Sequence, residues 1–220
     1  MKFKKNISFL IAVDGSSASG KTTGSKIIAK KFRFKFLSSG KLYRYLALRI
    51  IKNKGKYNYR FINKVSKNIT LKKLNSKQLY NPKITELSSI IAKKKYVRTS
   101  LQKFQSDFIK KNKKVLIEGR DIQSKIMPNA DLKLFFKCSY KEKAKRRFKE
   151  FKKINKNVSL NEVEKALKLR DFSDENRKES PLLLVKGAVL VDTTNLSIKQ
   201  VEDKLTKLVK KAVNNKYGNL

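Results

Sequence analysis

Residues 15–22 read Gly15-Ser16-Ser17-Ala18-Ser19-Gly20-Lys21-Thr22 and match the pattern G-x-x-x-x-G-K-(S/T) at every position. An apolar run at 7–13 precedes them and a stretch with helical spacing follows, which predicts a strand, a loop and a helix in that order. Glycines in such a loop let backbone amides surround a polyphosphate, and the following helix adds its N-terminal dipole. A Ser/Gly-rich turn without a ligand is the alternative. Because a strand precedes the loop and a helix follows it, a binding site for a nucleoside triphosphate is favoured over such a turn.

The same loop predicts particular contacts. Lys21 is expected to reach the β- and γ-phosphates, and the Thr22 hydroxyl to ligate Mg²⁺, which is the predicted cofactor together with ATP. The predicted ATP-binding residues are Gly15, Ser16, Ser17, Ala18, Ser19, Gly20, Lys21, Thr22 and Thr23.

Charge is the most unusual property of the composition. The 220 residues carry a formal net charge of +39, with 46 Lys and only 10 Arg. One explanation is that the positive charge serves to bind nucleic acid. The other is that an amino-acid composition biased towards Lys, Asn, Ile and Phe places Lys on the surface for reasons unrelated to a partner. Because the Lys residues are spread along the chain and no basic block stands apart, the second explanation is favoured. We therefore expect no specific nucleic-acid partner.

Two rare residue types exclude whole classes of chemistry. The sequence has no His, which removes His-based acid–base catalysis and His metal ligands. Its one cysteine, Cys138, has no partner for a disulfide or a zinc site and ends an apolar run, so a buried structural thiol is predicted. This fits a reducing compartment, and a cytoplasmic protein is expected. No run approaches the ~18 apolar residues of a membrane span, so no membrane partner is expected.

Short apolar runs alternate with stretches of helical spacing, which predicts an α/β fold with a parallel sheet. A weaker, Lys/Asn/Tyr-rich pattern from residue 53 indicates an inserted lobe within a single domain. The predicted strands are 7–13, 34–37, 115–117, 132–136 and 188–191, with a turn at 38–40. The predicted helices are 23–32, one following Leu42, 84–110, 140–152, 160–169 and one beginning at a capping box of Ser197 and Gln200.

Arginine is scarce here, so its positions are informative. Three clusters contain it, at 39–44, 118–121 and 170–177, and the first two follow predicted strands. Ligands bind at the carboxyl ends of strands in open α/β sheets, and a guanidinium binds phosphate in a geometry that an ammonium cannot match. If the third segment is helical, Arg170, Asp174 and Arg177 share one face. Surface ion pairs or helix caps are the alternative for each cluster.

In their order and spacing these motifs make the chain resemble the bacterial cytidylate kinases, a branch of the P-loop nucleoside monophosphate kinases. The resemblance runs nearly from end to end. The shared motifs are Ile-Ala-x-Asp-Gly-x-Ser at 11–17, Ser-Gly-x-x-Tyr-Arg at 39–44, Val-Arg-x-x-Leu-x-x-x-Gln at 97–105, Gly-Arg-Asp at 119–121, Arg-Asp-x-x-Asp-x-x-Arg at 170–177 and Asp-Thr-Thr-Asn-Leu-Ser at 192–197.

The resemblance implies a three-layer P-loop kinase core with a parallel sheet, an inserted NMP-binding lobe over 53–110 and a short lid over 146–160. It implies a monomeric enzyme that transfers the γ-phosphoryl group of ATP to CMP or dCMP. Two departures occur: Ser38 and Glu118 each stand where the family has Asp. The change at Ser38 removes a carboxylate near the phosphate groups, so the metal is expected to be organised differently there.

Site residues follow from the resemblance, motif by motif. Lys21, Arg120 and Arg170 correspond to catalytic positions, and Arg146 and Arg147 lead into the lid. Arg44 and Arg120 resemble the clamps on the CMP phosphate, and Arg170 and Asp174 the positions that hold the ribose or the transferring phosphates. The residues implied for CMP binding are Ser39, Arg44, Ser89, Arg98, Arg120, Asp121, Asp174 and Arg177.

Two other functions stay open from the sequence. One is another small P-loop kinase, of the thymidylate or shikimate type. The other is a basic nucleic-acid-binding protein in which the phosphate loop is vestigial.

Overall fold

A five-stranded sheet carries the phosphate loop in the computed structural model, which describes residues 7–152 and 158–218. Its strands are β1 (Phe9–Gly15), β2 (Lys35–Ser38), β3 (Lys114–Glu118), β4 (Leu132–Lys137) and β5 (Val189–Asp192). Their order across the sheet is β2-β3-β1-β4-β5, and β1 pairs in parallel with both β3 and β4. Strand β1 is therefore central, which explains its nearly continuous apolar sequence.

Eight α-helices connect and flank these strands within the described ranges. They are α1 (Lys21–Phe32), α2 (Ser39–Lys52), α3 (Tyr59–Lys67), α4 (Pro82–Ile91), α5 (Lys95–Lys110), α6 (Tyr140–Lys152), α7 (Leu160–Asn176) and α8 (Ile198–Tyr217). Short 3-10 turns occupy Lys73–Asn75 and Lys77–Tyr80, and a single π-type turn follows β3 at Ile122–Ile126.

The chain divides into two compact units. The larger unit combines residues up to Leu37 with those from Lys113 onward, and the smaller unit runs from Ser38 to Asn112. In the larger unit, one face of the sheet packs against α1 and α8 in a single apolar cluster. Phe9 and Phe136 are fully buried in that cluster, so it fixes the strand from which the phosphate loop emerges.

The smaller unit is entirely helical. Helix α2 packs against α4, and α3 packs against α5. The buried apolar side chains of this unit include Leu42, Leu46, Ile50, Ile62, Leu79, Ile91, Val97 and Leu101. The compact unit therefore begins at Ser38, earlier than residue 53 where the inserted lobe was predicted to begin, because α2 packs against α4.

All five predicted strands are present, with ends shifted by one or two residues. The capping box of α8 is confirmed: Ser197 Oγ accepts from the Gln200 amide, and the Gln200 side chain accepts from the Ser197 amide. Helix α6 matches the predicted range of 140–152.

Three predicted boundaries were wrong, each for a local reason. The turn at 38–40 is instead the start of α2, with Ser38 as the extended N-cap residue. The helix of 84–110 is two helices, since Lys94 is extended between them while the apolar spacing continues. The helix from Leu160 does not end at 169 but continues to Asn176, because buried contacts of Asp171 and Asp174 hold its polar last turns.

Two further findings bear on the predicted organisation. The predicted lid of 146–160 includes residues 153–157, which lie outside the described residues. Within the described part of the chain, no helix combines the length and apolar character that crossing a membrane requires.

Candidate active site

The phosphate loop begins where β1 ends and leads directly into α1. Gly15 has a φ of +150°, and a Cβ atom there would overlap the backbone oxygen of Phe136 and lie 2.9 Å from its Cβ. Gly20 has a φ of +82° and immediately precedes α1. Both positions therefore require glycine, and the backbone amides that follow Gly20 sit at the N-terminus of a 12-residue helix.

The loop is held by hydrogen bonds within itself and from the segment after β5. Ser19 Oγ and Lys21 Nζ both donate to the backbone oxygen of Ser16, at 2.9 and 3.0 Å. Thr193 Oγ1 donates to the backbone oxygen of Ser19 at 3.0 Å. The Lys21 side chain is buried and folds back over the loop that it belongs to. Its ammonium is therefore placed before any nucleotide binds.

The Lys21 ammonium is in an unfavourable position for a positive charge. Burial is the largest cause that lowers its pKa, the nearby Arg120 guanidinium is the next, and Glu118 opposes them; together they bring the pKa from 10.5 to about 7. Arg170 acts in the same direction as Arg120. An anion with several negative charges would reverse this shift, so the loop is built to bind a polyphosphate.

A pH-dependent proton uptake follows from the pKa of Lys21. At pH 8 its amine is mostly neutral in the free protein, and binding of ATP raises its pKa, so a proton enters with the nucleotide. At pH 6 the amine is already protonated and takes up none. Calorimetry of ATP binding in buffers with different ionisation enthalpies measures this uptake. We expect uptake at pH 8 that the Lys21→Met variant lacks; equal uptake in both proteins would contradict the assignment.

Thr22 and Glu118 bring two oxygen ligands together beside the loop. Thr22 Oγ1 donates to Glu118 Oε1 at 3.1 Å, so the carboxylate at the end of β3 reaches the first turn of α1. Among the described residues, no group of three or more His, Cys, Asp or Glu side chains is placed to hold a metal ion. One hydroxyl and one carboxylate suit Mg²⁺, which takes its remaining ligands from substrate phosphates and water.

Arg120 is the centre of a hydrogen-bonded group that joins three chain segments of the larger unit. Its Nε donates to Asp174 Oδ2 and its Nη2 to Ser17 Oγ, both at 2.9 Å, while Nη1 donates to the backbone oxygen of Gly119. Arg177 Nη1 donates to the other oxygen of Asp174 at 3.1 Å. The structure therefore joins Arg120, from the predicted cluster at 118–121, to Asp174 and Arg177, from the predicted cluster at 170–177.

The charge of Asp174 is stabilised by these neighbours. Burial acts to raise its pKa, but the guanidinium groups of Arg120, Arg177 and Arg170 hold it below the ordinary value. Asp174 is thus an anionic hydrogen-bond acceptor throughout the physiological range. It fixes the direction of the Arg120 guanidinium, which leaves that group's charge available to an anion at the loop.

Asp121 lies on the segment that follows β3, and Asp14, near the end of β1, binds the backbone of that same segment. Asp121 is buried. Asp14 accepts from the backbone amides of Ile122 and Gln123 at 3.0 and 2.8 Å, and burial raises its pKa to about 7 despite those two bonds. Asp14 thereby anchors the backbone next to Asp121. Sequence analysis did not assign Asp14 a role, although an Asp at the end of a buried strand was a usable signal.

The smaller unit contains the other predicted CMP-binding residues. Arg98 is buried, donates from Nη1 to the backbone oxygen of Ala92 at 2.9 Å, and lies 5.5 Å from the centroid of the Tyr43 ring. Its guanidinium is therefore fixed by backbone and aromatic contacts. The Arg44 guanidinium lies 5.3 Å from the centroid of the Tyr80 ring.

Two serines complete the predicted set in this unit. Ser39 Oγ accepts from Gln105 Nε2 at 3.0 Å, in a buried pair. Ser89 Oγ donates to the backbone oxygen of Thr85, one helical turn earlier. Each hydroxyl is oriented by one such bond, and Gln105 is a further polar contact that sequence analysis gave no role.

The two predicted lid arginines have different surroundings. Arg146 donates to Thr193 Oγ1 at 3.0 Å and to its backbone oxygen at 2.8 Å, close to the phosphate loop. Arg147 instead makes an ion pair with the exposed Glu150. Only Arg146 is held next to the loop in this arrangement, and a closing role for either residue remains a prediction.

Comparisons with known proteins show which family the chain is similar to. A family model described as cytidylate kinase matches residues 11–211. The chain is 37% identical over 213 residues to a cytidylate kinase of Fusobacterium nucleatum, with 92% of this chain and 97% of the relative covered. It is 35% identical over 219 residues to one of Mycoplasmoides gallisepticum, covering 94% and 96%, and 34% identical over 219 residues to one of Thermotoga maritima, covering 94% and 99%.

Solved structures with similar folds are more distant in sequence. The crystal structure of TT1252 from Thermus thermophilus superposes with a TM-score of 0.51 at 15% identity and covers 93% of this chain and 97% of that one. An uncharacterized protein from Eubacterium ventriosum gives a TM-score of 0.52 at 13% identity, covering 90% and 96%. At such low identity the likeness concerns the fold alone.

Proposed function

The chain belongs to the cytidylate kinase family, and we propose from this and from its site that it transfers the γ-phosphoryl group of ATP to CMP and to dCMP. The products are ADP and CDP or dCDP. The observation that carries the proposal is the Arg120 group, which connects the phosphate loop at Ser17 to Asp174 and, through it, to Arg177. A guanidinium so placed can contact a phosphate at the loop and a phosphate of an acceptor.

The chemistry asks for positioning and charge neutralisation rather than for a dedicated base. The phosphoryl group moves between two oxygens in line, and its charge is stabilised by fixed cations. Lys21, Arg120 and Arg170 are the proposed cations. Hydrogen bonds within the larger unit hold Lys21 and Arg120, and Arg170 is close enough to lower the pKa of Lys21. The absence of His from the sequence is therefore no obstacle.

Mg²⁺ is the proposed metal that accompanies ATP. Thr22 and Glu118 would hold it, because a hydroxyl and a carboxylate lie together beside the loop. When bound, the ion neutralises charge on the phosphates. Glu118 has one more methylene than the Asp of the family, and its reach to Thr22 supports an equivalent role.

For CMP we propose the residues that the sequence singled out in each unit. Arg44 and Arg120 would contact its phosphate, and Asp174 its ribose. The proposed cytosine contacts are Ser39, Ser89, Arg98, Asp121 and Arg177. Burial of Arg98, Asp121 and Arg177 supports this assignment, since polar side chains shielded from water can recognise a base edge specifically.

Selectivity for cytosine over uracil is the corresponding prediction. The Asp121 carboxylate would accept from the exocyclic amine of cytosine, which uracil lacks. An unpaired buried carboxylate facing an oxygen costs about 2 kcal/mol, so kcat/KM with CMP should exceed that with UMP by about 30-fold or more. The Asp121→Asn variant should narrow the ratio, and Asp203→Asn, on the exposed part of α8, should not. Equal kcat/KM values for CMP and UMP in the wild-type enzyme would overturn this role.

A coupled assay of ADP release tests the function itself. CMP, dCMP, UMP, AMP and dTMP are offered side by side as acceptors, and CMP and dCMP should give the highest kcat/KM. Family membership favours this outcome over the thymidylate- and shikimate-type kinases considered from the sequence. Salt-dependent RNA binding without ATP turnover would instead support a nucleic-acid-binding protein.

We also propose that the enzyme is monomeric and cytoplasmic. The buried, single Cys138 thiol supports a reducing compartment. Size-exclusion chromatography with light scattering would test the first statement, and a mass near twice 25.5 kDa would contradict it.

A further inference from the structure

A buried ion pair lies behind the phosphate loop, on the two helices α6 and α7. Lys143 Nζ donates to Asp171 Oδ2 at 2.7 Å, and the side chains are 4% and 0% exposed. The other oxygen, Asp171 Oδ1, accepts from the backbone amide of Ser17 at 2.8 Å. Both oxygens of this carboxylate are therefore engaged, one by a helix and one by the phosphate loop.

Burying an ion pair costs desolvation free energy, which indicates that this pair does more than stabilise the fold. Removing two charges from water is expensive, and buried ion pairs are often no more stabilising than apolar residues of similar volume. This pair is well bonded: the Lys143 ammonium also lies 4.0 Å from the centroid of the Tyr140 ring. A carboxylate that accepts from an ammonium and from a backbone amide makes charge-assisted hydrogen bonds, which are shorter and stronger than those of a neutral acceptor.

Ser17 connects Asp171 to Arg120, which is proposed to contact the phosphates. Its amide is bound by Asp171, and its hydroxyl accepts from Arg120 Nη2 at 2.9 Å. Helix α7 thus holds the loop at two points, directly through Asp171 and indirectly through Asp174, which binds Arg120. A shift of Ser17 would move both the loop backbone and the guanidinium proposed to contact the phosphates.

We propose that Asp171 and Lys143 are positioning residues that set the loop for phosphoryl transfer by holding the Ser17 amide. This inference rests on the proposed function and deepens it. Neither residue touches a substrate in the proposal, and both act through Ser17. The loss expected from a displaced reacting group is large, since a shift of about 1 Å can cost about 100-fold in rate.

Substitution by isosteric neutral residues separates positioning from mere packing. In Asp171→Asn the amide cannot satisfy both neighbours, because an oxygen towards the Ser17 amide turns its NH₂ group towards the Lys143 ammonium. We expect kcat and the affinity for ATP each to fall about tenfold, the loss of one hydrogen bond to a charged group, with an almost unchanged KM for CMP. Adding Lys143→Met removes the conflicting donor and should restore most of the rate.

The experiment therefore compares wild type, Asp171→Asn, Lys143→Met and the double variant as a double-mutant cycle. The readouts are kcat and KM with CMP, the affinity for ATP measured by calorimetry, and the melting temperature. The matched control is Glu164→Gln with Lys168→Met, which makes the equivalent changes from carboxylate to amide and from ammonium to thioether in a more exposed ion pair of 2.8 Å on α7. The control should leave kcat and the ATP affinity unchanged.

Each outcome decides the proposal. Recovery of kcat and of ATP affinity in the double variant supports it. Variants whose melting temperatures fall while kcat stays at the wild-type value would show a structural role only and overturn it. Should Asp171→Asn fail to fold, a double variant no more active than Lys143→Met overturns it as well. If the wild-type protein binds ATP but does not phosphorylate CMP, the proposed function fails, and the ATP affinities still test the ion pair.

Discussion

Replacing Lys21 by methionine is expected to lower kcat with CMP by about 1,000-fold or more. Methionine keeps the apolar volume of the buried stem, so the change isolates the loss of the ammonium. A preorganised donor in a site shielded from water typically contributes 10² to 10³ in rate, and a cation on a transferring phosphoryl group about 10³ or more. Steady-state ADP release measures the effect.

Two features of the structure make this the largest effect that we expect. The Lys21 amine is held by the Ser16 backbone oxygen before ATP arrives, so the side chain needs no ordering at the moment of reaction. Its replacement also leaves Arg120, which donates to Ser17 Oγ, as a remaining cation beside the loop. The control is Lys26→Met, on an exposed position of the same helix, which should retain wild-type kcat. A Lys21→Met rate within tenfold of wild type would exclude the assigned role.

Replacement of Arg120 by alanine is the second large effect, with an expected fall in kcat/KM of about 1,000-fold. Arg120 does two things at once in the structure: it places a guanidinium at the loop, and it joins Ser17 to Asp174. Alanine removes both, and it leaves Asp174 without one of its two observed arginine partners.

The Arg120→Lys variant separates charge from geometry. Lysine keeps the positive charge, but a single ammonium cannot reproduce the planar fork that contacts Asp174, Ser17 and the Gly119 backbone together. We therefore expect an intermediate kcat/KM, above that of alanine and well below wild type. Arg49→Ala, at an exposed position of α2, is the control. Equal rates for Arg120→Lys and wild type would mean that charge alone suffices.

Sequence analysis located the phosphate loop, the five strands and the capping box of α8, because each leaves a local pattern. The match at 15–22 depends on glycines whose backbone angles and close contacts the structure displays at Gly15 and Gly20. Family motifs placed Arg120 in one segment and both Asp174 and Arg177 in another, and the structure joins them in one hydrogen-bonded group. Their roles towards CMP stay predictions.

Contacts between residues far apart in the sequence could not be predicted from local sequence patterns. The Asp171–Lys143 pair connects residues on two helices, and nothing in a highly basic helix distinguishes Lys143 from the lysines around it. The break between α4 and α5 was missed because apolar residues continue at helical spacing across it. Likewise α7 extends through a polar segment, since its last turns are held by tertiary bonds rather than by an apolar face.

The larger unit is formed by two chain segments that the smaller unit separates, and this has a consequence for folding during translation. Strand β1 is translated early, yet its two neighbours are β3 and β4: Phe9 pairs with Lys114 and Ile11 with Leu132. On the ribosome, the backbone of this apolar strand stays unpaired until the whole segment from Ser38 to Asn112 has been synthesised. The all-helical inserted unit needs no such later partner and can form first during elongation. A nascent chain stalled before residue 113 should therefore depend on chaperones to shield β1 from premature association.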